Sequence, residues 1–226
     1  MSTAMDFAKI VDFVSNMIYP LQAITALQGM FLCIIVFRRL KQKQFRSAAA
    51  GDAFLEEVRE LMRDQRYEEV AEICDSPPYW SKAVPQLILV ALANKDRPLN
   101  KLKQIIAERF EQDVLSDLEN RVAWINTVVK TAPMLGLQGT VLGMIAAFAK
   151  IAKAGKSGVD PTKLADDISF ALFTTAIGLA VAIPLVMALA SIHVRQGRLQ
   201  DSVQGMLSIF LEDFENSLGR PAKKTS

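Results

Sequence analysis

Two charge-free runs each place one hydroxyl in a row of small residues. Thr131 to Ala149 reads TAPMLGLQGTVLGMIAAFA and Ile168 to Val194 reads ISFALFTTAIGLAVAIPLVMALASIHV, with no Asp, Glu, Lys or Arg in either. The rows are Gly136, Thr140, Gly143 and Ala147 on the first, and Ala171, Thr175, Gly178 and Ala182 on the second, a spacing that shares one helical face. In an antiparallel hairpin Thr140 lies about nine residues from the shared end and Thr175 about seven, so roughly 13 and 10 Å deep at ~1.5 Å per residue. Two hydroxyls at one level, with Gln138 nearby, could solvate a charge or hold a water, but neither can titrate at ordinary pH. The same register turns Thr174 about 100° away, toward Ile177 and Val181. Two readings stand side by side. Membrane hydroxyls commonly bond back to their own helix, and Gly139-x-x-x-Gly143 is a packing pattern that lets backbones approach. Alternatively, the matched hydroxyls line an ion path that borrows its charge.

Both runs are long enough to cross a bilayer, and a third, Phe13 to Phe37, is equally charge-free and stops at Arg38-Arg39. Lys9 between Asp6 and Asp12 does not make the basic leader of a signal peptide, so this run reads as an anchor. Phe7, Ile10, Val11 and Val14 before it suggest a short amphipathic helix on the membrane surface, after which Pro20 falls in the first turn of the span. A mean hydropathy of +0.22 with 22% charged residues requires membrane and aqueous parts to alternate. The net charge of +2, with acids interspersed among bases, argues against nucleic acid. Cys33 and Cys74 fall in different phases and are not expected to pair, and His193, the lone histidine, reads as an interfacial residue. No cofactor or metal site is expected, and no enzyme.

The expected fold is all-α, with three transmembrane helices, long helical cytoplasmic extensions and an oligomeric ring. Its divisions are an amphipathic segment at 1–17, spans at 18–37, 131–149 and 168–194, a helical cytoplasmic domain at 38–130, an outer loop at 150–167 and a cytoplasmic helix and tail at 195–226. Nine Lys and Arg flank the spans on one side (Arg38, Arg39, Lys41, Lys43, Arg46, Arg121, Lys130, Arg195, Arg198) against five on the other (Lys9, Lys150, Lys153, Lys156, Lys163). The richer side is cytoplasmic, which puts the amino terminus outside.

The inner segment reads as helix. Asp52 to Cys74 forms one piece, broken at Asp75-Ser-Pro-Pro78; Val84 to Ala93 forms a second, broken at Lys95-Asp-Arg-Pro98. From Leu99 an apolar repeat runs without Gly or Pro as far as Pro133, and from Leu199 a similar repeat ends at Gly219-Arg-Pro221. One chain offers little surface for these stripes, so Phe110, Val114, Leu118, Met206, Phe210 and Phe214 are expected to form a ring-shaped subunit interface.

Ala132-Pro-Met-Leu-Gly-Leu-Gln-Gly-Thr-Val-Leu-Gly143 with Phe148, and Thr174-Thr-Ala-Ile-Gly-Leu-Ala-Val-Ala-Ile-Pro184, closely resemble the two signature stretches of the MotA/TolQ/ExbB proton-channel family. The layout is most similar to the TolQ/ExbB branch. The resemblance implies that Thr140 and Thr175 line the channel and that Pro184 bends the last span. Gly136, Gly139, Gly143 and Gly178 are read as helix-packing positions. It also implies a homopentamer in the bacterial inner membrane around single-span partners of the ExbD/TolR kind, each bringing one aspartate into the pore, and leaves room for a TonB/TolA-like protein. The output would be import or an envelope process, with gliding or secretion as alternatives and a non-conducting scaffold as the rival class. One departure stands out. Many ExbB and TolQ proteins carry a glutamate five residues before the last-span threonine, and here that position is Phe170. The nearest acids, Asp166 and Asp167, read either as helix-start residues favoured by the dipole or as an outer proton entry.

Overall fold

The computed structural model describes the backbone of residues 2–154 and 160–218, and the side chains of residues 17–152 and 160–217. Its described elements are helical: α1 (Ser2–Lys43), α2 (Ala48–Arg63), α3 (Tyr67–Cys74), α4 (Ala83–Ala93), α5 (Leu99–Phe110), a π-helical turn (Glu111–Leu115), α6 (Ser116–Ala154) and α7 (Pro161–Leu218). Three helices are long and apolar enough to cross a membrane. At ~1.5 Å per residue, α1, α6 and α7 run about 63, 59 and 87 Å, each well beyond the ~30 Å of a hydrocarbon core.

Sequence expectations met corrections at several joints. The backbone of α1 is continuous from Ser2, so Pro20 lies inside a helix instead of in the first turn of one. The amphipathic face of Phe7, Ile10, Val11 and Val14 lies outside the described side chains, as do Lys9, Lys153 and Lys156. Asp52 to Cys74 is two helices: Gln65 takes φ 58°, a left-handed turn that normally calls for Gly, and its amide donates to the Ser217 carbonyl at 3.2 Å. The repeat from Leu99 is interrupted by the π-turn, one extra residue per turn that re-phases the apolar stripe before α6. Gly219-Arg-Pro221 lies outside the described residues.

The chain divides into two compact units, Met1–Ile34 with Arg121–Ser191 and Ile35–Asn120 with Ile192–Ser226. In the first, the inside is small and the outside is large. Ala132, Ala147, Ala171 and Ala182 are buried, whereas Leu27, Phe31, Met134, Leu137, Phe148, Phe173, Ile183 and Met187 are exposed. Water would not tolerate that much exposed apolar area, and a bilayer would; close-packed small residues are how helices associate where lipid removes the hydrophobic drive.

In the second unit α2 to α5 wrap the ends of the long helices. Ser47 caps α2 by accepting from the Ala50 amide, 3.2 Å away. Phe54 packs with Tyr79 and Phe45, ring centroids 4.8 and 5.4 Å apart, and Phe210 stacks on Phe214 at 5.7 Å. Arg59 donates to Asp213 at 2.8 Å, tying α2 to α7. Burial, helped by Glu57, pushes the Cys74 thiol up to about 12, which makes it an inert core group.

This unit overturns the expected ring surface. Phe110, Val114, Leu118, Phe210 and Phe214 are already buried within one chain, and Met206 lies against Gly51. The short helices supply the partner surface that the stripes alone lacked. Phe214→Ala should therefore destabilise the isolated subunit by ~3–5 kcal/mol, the cost of truncating a buried ring, whereas Ile209→Ala, exposed on the same helix, should stay within ~0.5 kcal/mol. Thermal unfolding of the detergent-purified chain checks this. Equal, small shifts for both would mean that Phe214 does not hold this core.

Candidate ion pathway

Local sequence sets how closely α6 and α7 approach. A Cβ built on Gly136 would lie 2.8 Å from the Thr174 carbonyl oxygen, on Gly139 2.3 Å from the Thr174 hydroxyl, on Gly143 2.4 Å from the Ala171 Cβ and on Gly178 2.6 Å from the Ala132 carbonyl oxygen. All four distances are below any real Cβ contact. The pairs 132/178, 136/174 and 143/171 run in opposite directions, so α6 and α7 are antiparallel. Thr140 thus lies within about one helical turn, ~5.4 Å, of the level of Thr175.

The two adjacent threonines have exchanged roles relative to the sequence reading. Thr174 is the seam residue: it is buried, and its hydroxyl donates toward the Gly136 carbonyl at 3.0 Å and the Ala171 carbonyl at 2.7 Å. The buried row on α7 is Ala171, Thr174, Gly178, Ala182 and Leu185, whereas the row read from the sequence, Ala171, Thr175, Gly178 and Ala182, had put Thr175 in the seam. Thr175 sits at the flank of the seam. Its Oγ1 is shielded and meets no hydrogen-bond partner among the described residues. Thr140 is half-buried and bonds back to the Leu137 carbonyl at 2.7 Å.

A third helix joins through a residue that sequence reasoning passed over. Gln22 on α1 is 2% exposed; its Nε2 donates to the Thr174 carbonyl at 2.8 Å, and its Oε1 has no partner among the described residues. An uncharged residue in an apolar run gave no alarm when the search was for ionisable groups, yet a buried amide in such a run is costly unless bonded. Two unpartnered polar atoms, Gln22 Oε1 and Thr175 Oγ1, therefore flank one peptide of α7. One accepts only and the other can both donate and accept.

Farther along the pair, Lys150 bonds Asp167 at 2.6 Å, while Asp166 is exposed. Phe170 is 62% exposed, and its ring lies 5.0 Å from that of Tyr19, whose hydroxyl donates to the Phe170 carbonyl at 3.3 Å. Pro184 is exposed inside α7, where its missing N–H leaves the carbonyl four residues earlier without a helical donor. Among the described residues no group of His, Cys, Asp and Glu could hold a metal.

The family model of the MotA/TolQ/ExbB proton channel family matches residues 80–205, more than half of the chain, covering all of α6 and α7 as far as residue 205. This chain belongs to that family. Among curated relatives it is similar to the Tol-Pal system protein TolQ of Haemophilus influenzae, 36% identical over 108 residues that make up 48% of this chain and 45% of that protein. It is similar to the biopolymer transport protein ExbB of Xanthomonas campestris, 44% over 71 residues, 31% and 27% of the two chains. A further relative is the biopolymer transport protein ExbB of Helicobacter pylori, 38% over 76 residues, 34% and 51%. The chain spans about half the length of these relatives or less. Membership of the TolQ/ExbB branch, with three helices long and apolar enough to cross a bilayer, makes it a membrane protein and not an enzyme.

Proposed function

We propose that this chain is the ring-forming, proton-conducting subunit of an ExbB/TolQ-type motor in a bacterial inner membrane, moving a single-span partner of the ExbD/TolR kind at the expense of the proton gradient. The observation that carries the reading is the shielded Thr175 hydroxyl, unpartnered among the described residues, in the charge-free stretches 131–149 and 168–194 of α6 and α7, close in level to Thr140. A carboxylate in hydrocarbon is costly unless hydrogen-bonded, and these hydroxyls would solvate one brought by the partner. One charge crossing ~100 mV supplies ~2.3 kcal/mol and each pH unit ~1.4 kcal/mol, enough for a small step repeated many times.

In this reading the spans are 18–37, 131–149 and 168–194, the amino terminus is periplasmic, residues 38–130 and 195–226 are cytoplasmic, and 150–167 is the outer loop. Asp166 would receive protons there, and Asp167, held by Lys150, would keep the outer ends of α6 and α7 together. Because the cytoplasmic stripes are already satisfied, the ring would close through the exposed apolar faces of the membrane helices, Met134, Leu137, Val141 and Phe173 among them. The work done would be import or envelope maintenance, with a TonB/TolA-like protein receiving the motion.

Mild-detergent native mass spectrometry of the chain, alone and co-expressed with a single-span protein carrying an aspartate early in its span, tests the assembly. A closed oligomer, five copies by the reading above, that retains the partner is expected. A monomer under both conditions would rule the ring out.

A further inference from the structure

The first charge after the run ending at Phe37 is Arg38, and the first after the run ending at Val194 is Arg195. Within the second unit these two arginines line one cavity of about 590 Å³ together with Lys41, Arg46, Lys82 and Gln44. The lining holds five cations and no Asp or Glu. Elsewhere in the same unit three arginines find acids: Arg59 pairs with Asp213, Arg66 with Glu69 and Arg109 with Asp113. Among the described residues none of the five cations around this cavity has an ion pair.

Their positions are held by contacts that spend little of their charge. Lys82 Nζ donates to the Gln44 carbonyl at 2.5 Å, Gln44 Nε2 reaches the Arg195 carbonyl at 3.5 Å, and the Arg195 guanidinium lies 5.4 Å from the centre of the Phe37 ring. Burial, and secondarily Arg46, holds the Lys82 ammonium below its ordinary range, the direction expected where positive charge is gathered without compensation. Five uncompensated cations repel one another, and an anion among them would relieve that repulsion. Arginines suit a phosphate in particular, because their planar fork meets two of its oxygens.

We propose that this cavity binds the phosphodiester headgroup of an anionic glycerophospholipid. Lipid is favoured over free phosphate by depth: the cavity sits where both charge-free runs end, so if α1 and α7 cross the bilayer, its cations lie at the headgroup plane while Phe37 and the preceding turns face the acyl chains. Neither conduction nor the partner enters this inference, so it can fail while the channel reading stands.

The test is native mass spectrometry of the whole chain in mild detergent, titrated with phosphatidylglycerol, with phosphatidylcholine and with inorganic phosphate. Retention of one phosphatidylglycerol per subunit, in preference to phosphatidylcholine and undisturbed by millimolar phosphate, is expected. Lys82→Gln with Arg195→Gln should weaken retention roughly 30-fold, the worth of two cations near a headgroup, whereas Arg39→Gln with Arg198→Gln, outside the lining, should change it less than about threefold. Should the first pair fold poorly, Arg46→Gln, an exposed lining residue, should weaken it roughly fivefold, and Lys82→Arg should preserve it. Equal weakening by the two double variants would reduce the effect to general attraction at the membrane edge and overturn the site. Displacement of the lipid by phosphate, or equal retention of both lipids, would overturn it as well.

Discussion

Alanine at Gly178 or Gly136 is expected to part α6 from α7, lowering the melting temperature by roughly 10 °C in detergent. At each position the added methyl would meet backbone: 2.6 Å from the Ala132 carbonyl oxygen for Gly178, 2.8 Å from the Thr174 carbonyl oxygen and the Thr175 Cα for Gly136. Ordinary contact begins near 3.4 Å, so the helices must separate by nearly 1 Å, and no side chain can rotate out of the way. Overpacking of this kind costs ~1–3 kcal/mol, and separation also weakens the bond from Thr174 to Gly136, an interhelical hydroxyl contact worth ~1 kcal/mol. For a chain of this size each ~1 kcal/mol moves the midpoint by about 2–4 °C. Gly197 and Gly205 are the controls. A Cβ at either meets nothing within 4 Å, so alanine there should stabilise the helix by up to ~1 kcal/mol. An unchanged melting point for Gly178→Ala would show that the helices do not touch as described.

Valine at the two neighbouring threonines should separate packing from chemistry. Thr174→Val removes a buried hydroxyl that serves two carbonyls and should cost ~1–2 kcal/mol of stability. Thr175→Val removes a hydroxyl with no partner among the described residues and replaces it by a methyl of nearly equal volume, so stability should be unchanged or slightly higher. Its effect should appear in ion flow instead, where partner-dependent proton uptake into vesicles should fall at least about tenfold, an upper end for losing one positioned hydrogen bond of ~1.4 kcal/mol or more. Equal uptake by Thr175→Val and the unsubstituted chain, or instability of Thr175→Val as large as that of Thr174→Val, would remove Thr175 from the pathway.

That pair also shows where sequence reading stops. The three charge-free runs were enough to locate the three long helices, and Pro77, Pro78 and Pro98 marked the breaks flanking α4, because absent charges and absent N–H groups act locally. The seam between α6 and α7 is not local. A helix steps about 100° per residue, so the row 171, 175, 178 and 182 and the row 171, 174, 178 and 182, which differ at one position, are equally good stripes on paper; contact with Gly136 and Gly139 decides between them. Gln22 and the turn at Gln65 were illegible for a related reason. Each is a polar residue whose meaning depends on a carbonyl about 150 residues away, that of Thr174 or Ser217. The stripes of the second unit show the converse: their periodicity was plain, but which surface they cover depended on how α2 to α5 fold back on them.

Proton uptake into vesicles under an imposed potential tests most directly whether this chain provides a path that borrows its charge. No Asp, Glu, Lys or Arg lies within residues 131–149 or 168–194. Reconstituted alone, the chain should take up protons no faster than empty vesicles. Together with a single-span partner carrying an intramembrane aspartate it should conduct, and asparagine in place of that aspartate should return uptake to background. Robust uptake by the chain without a partner, or uptake that survives loss of the partner's carboxylate, would contradict the borrowed-charge pathway.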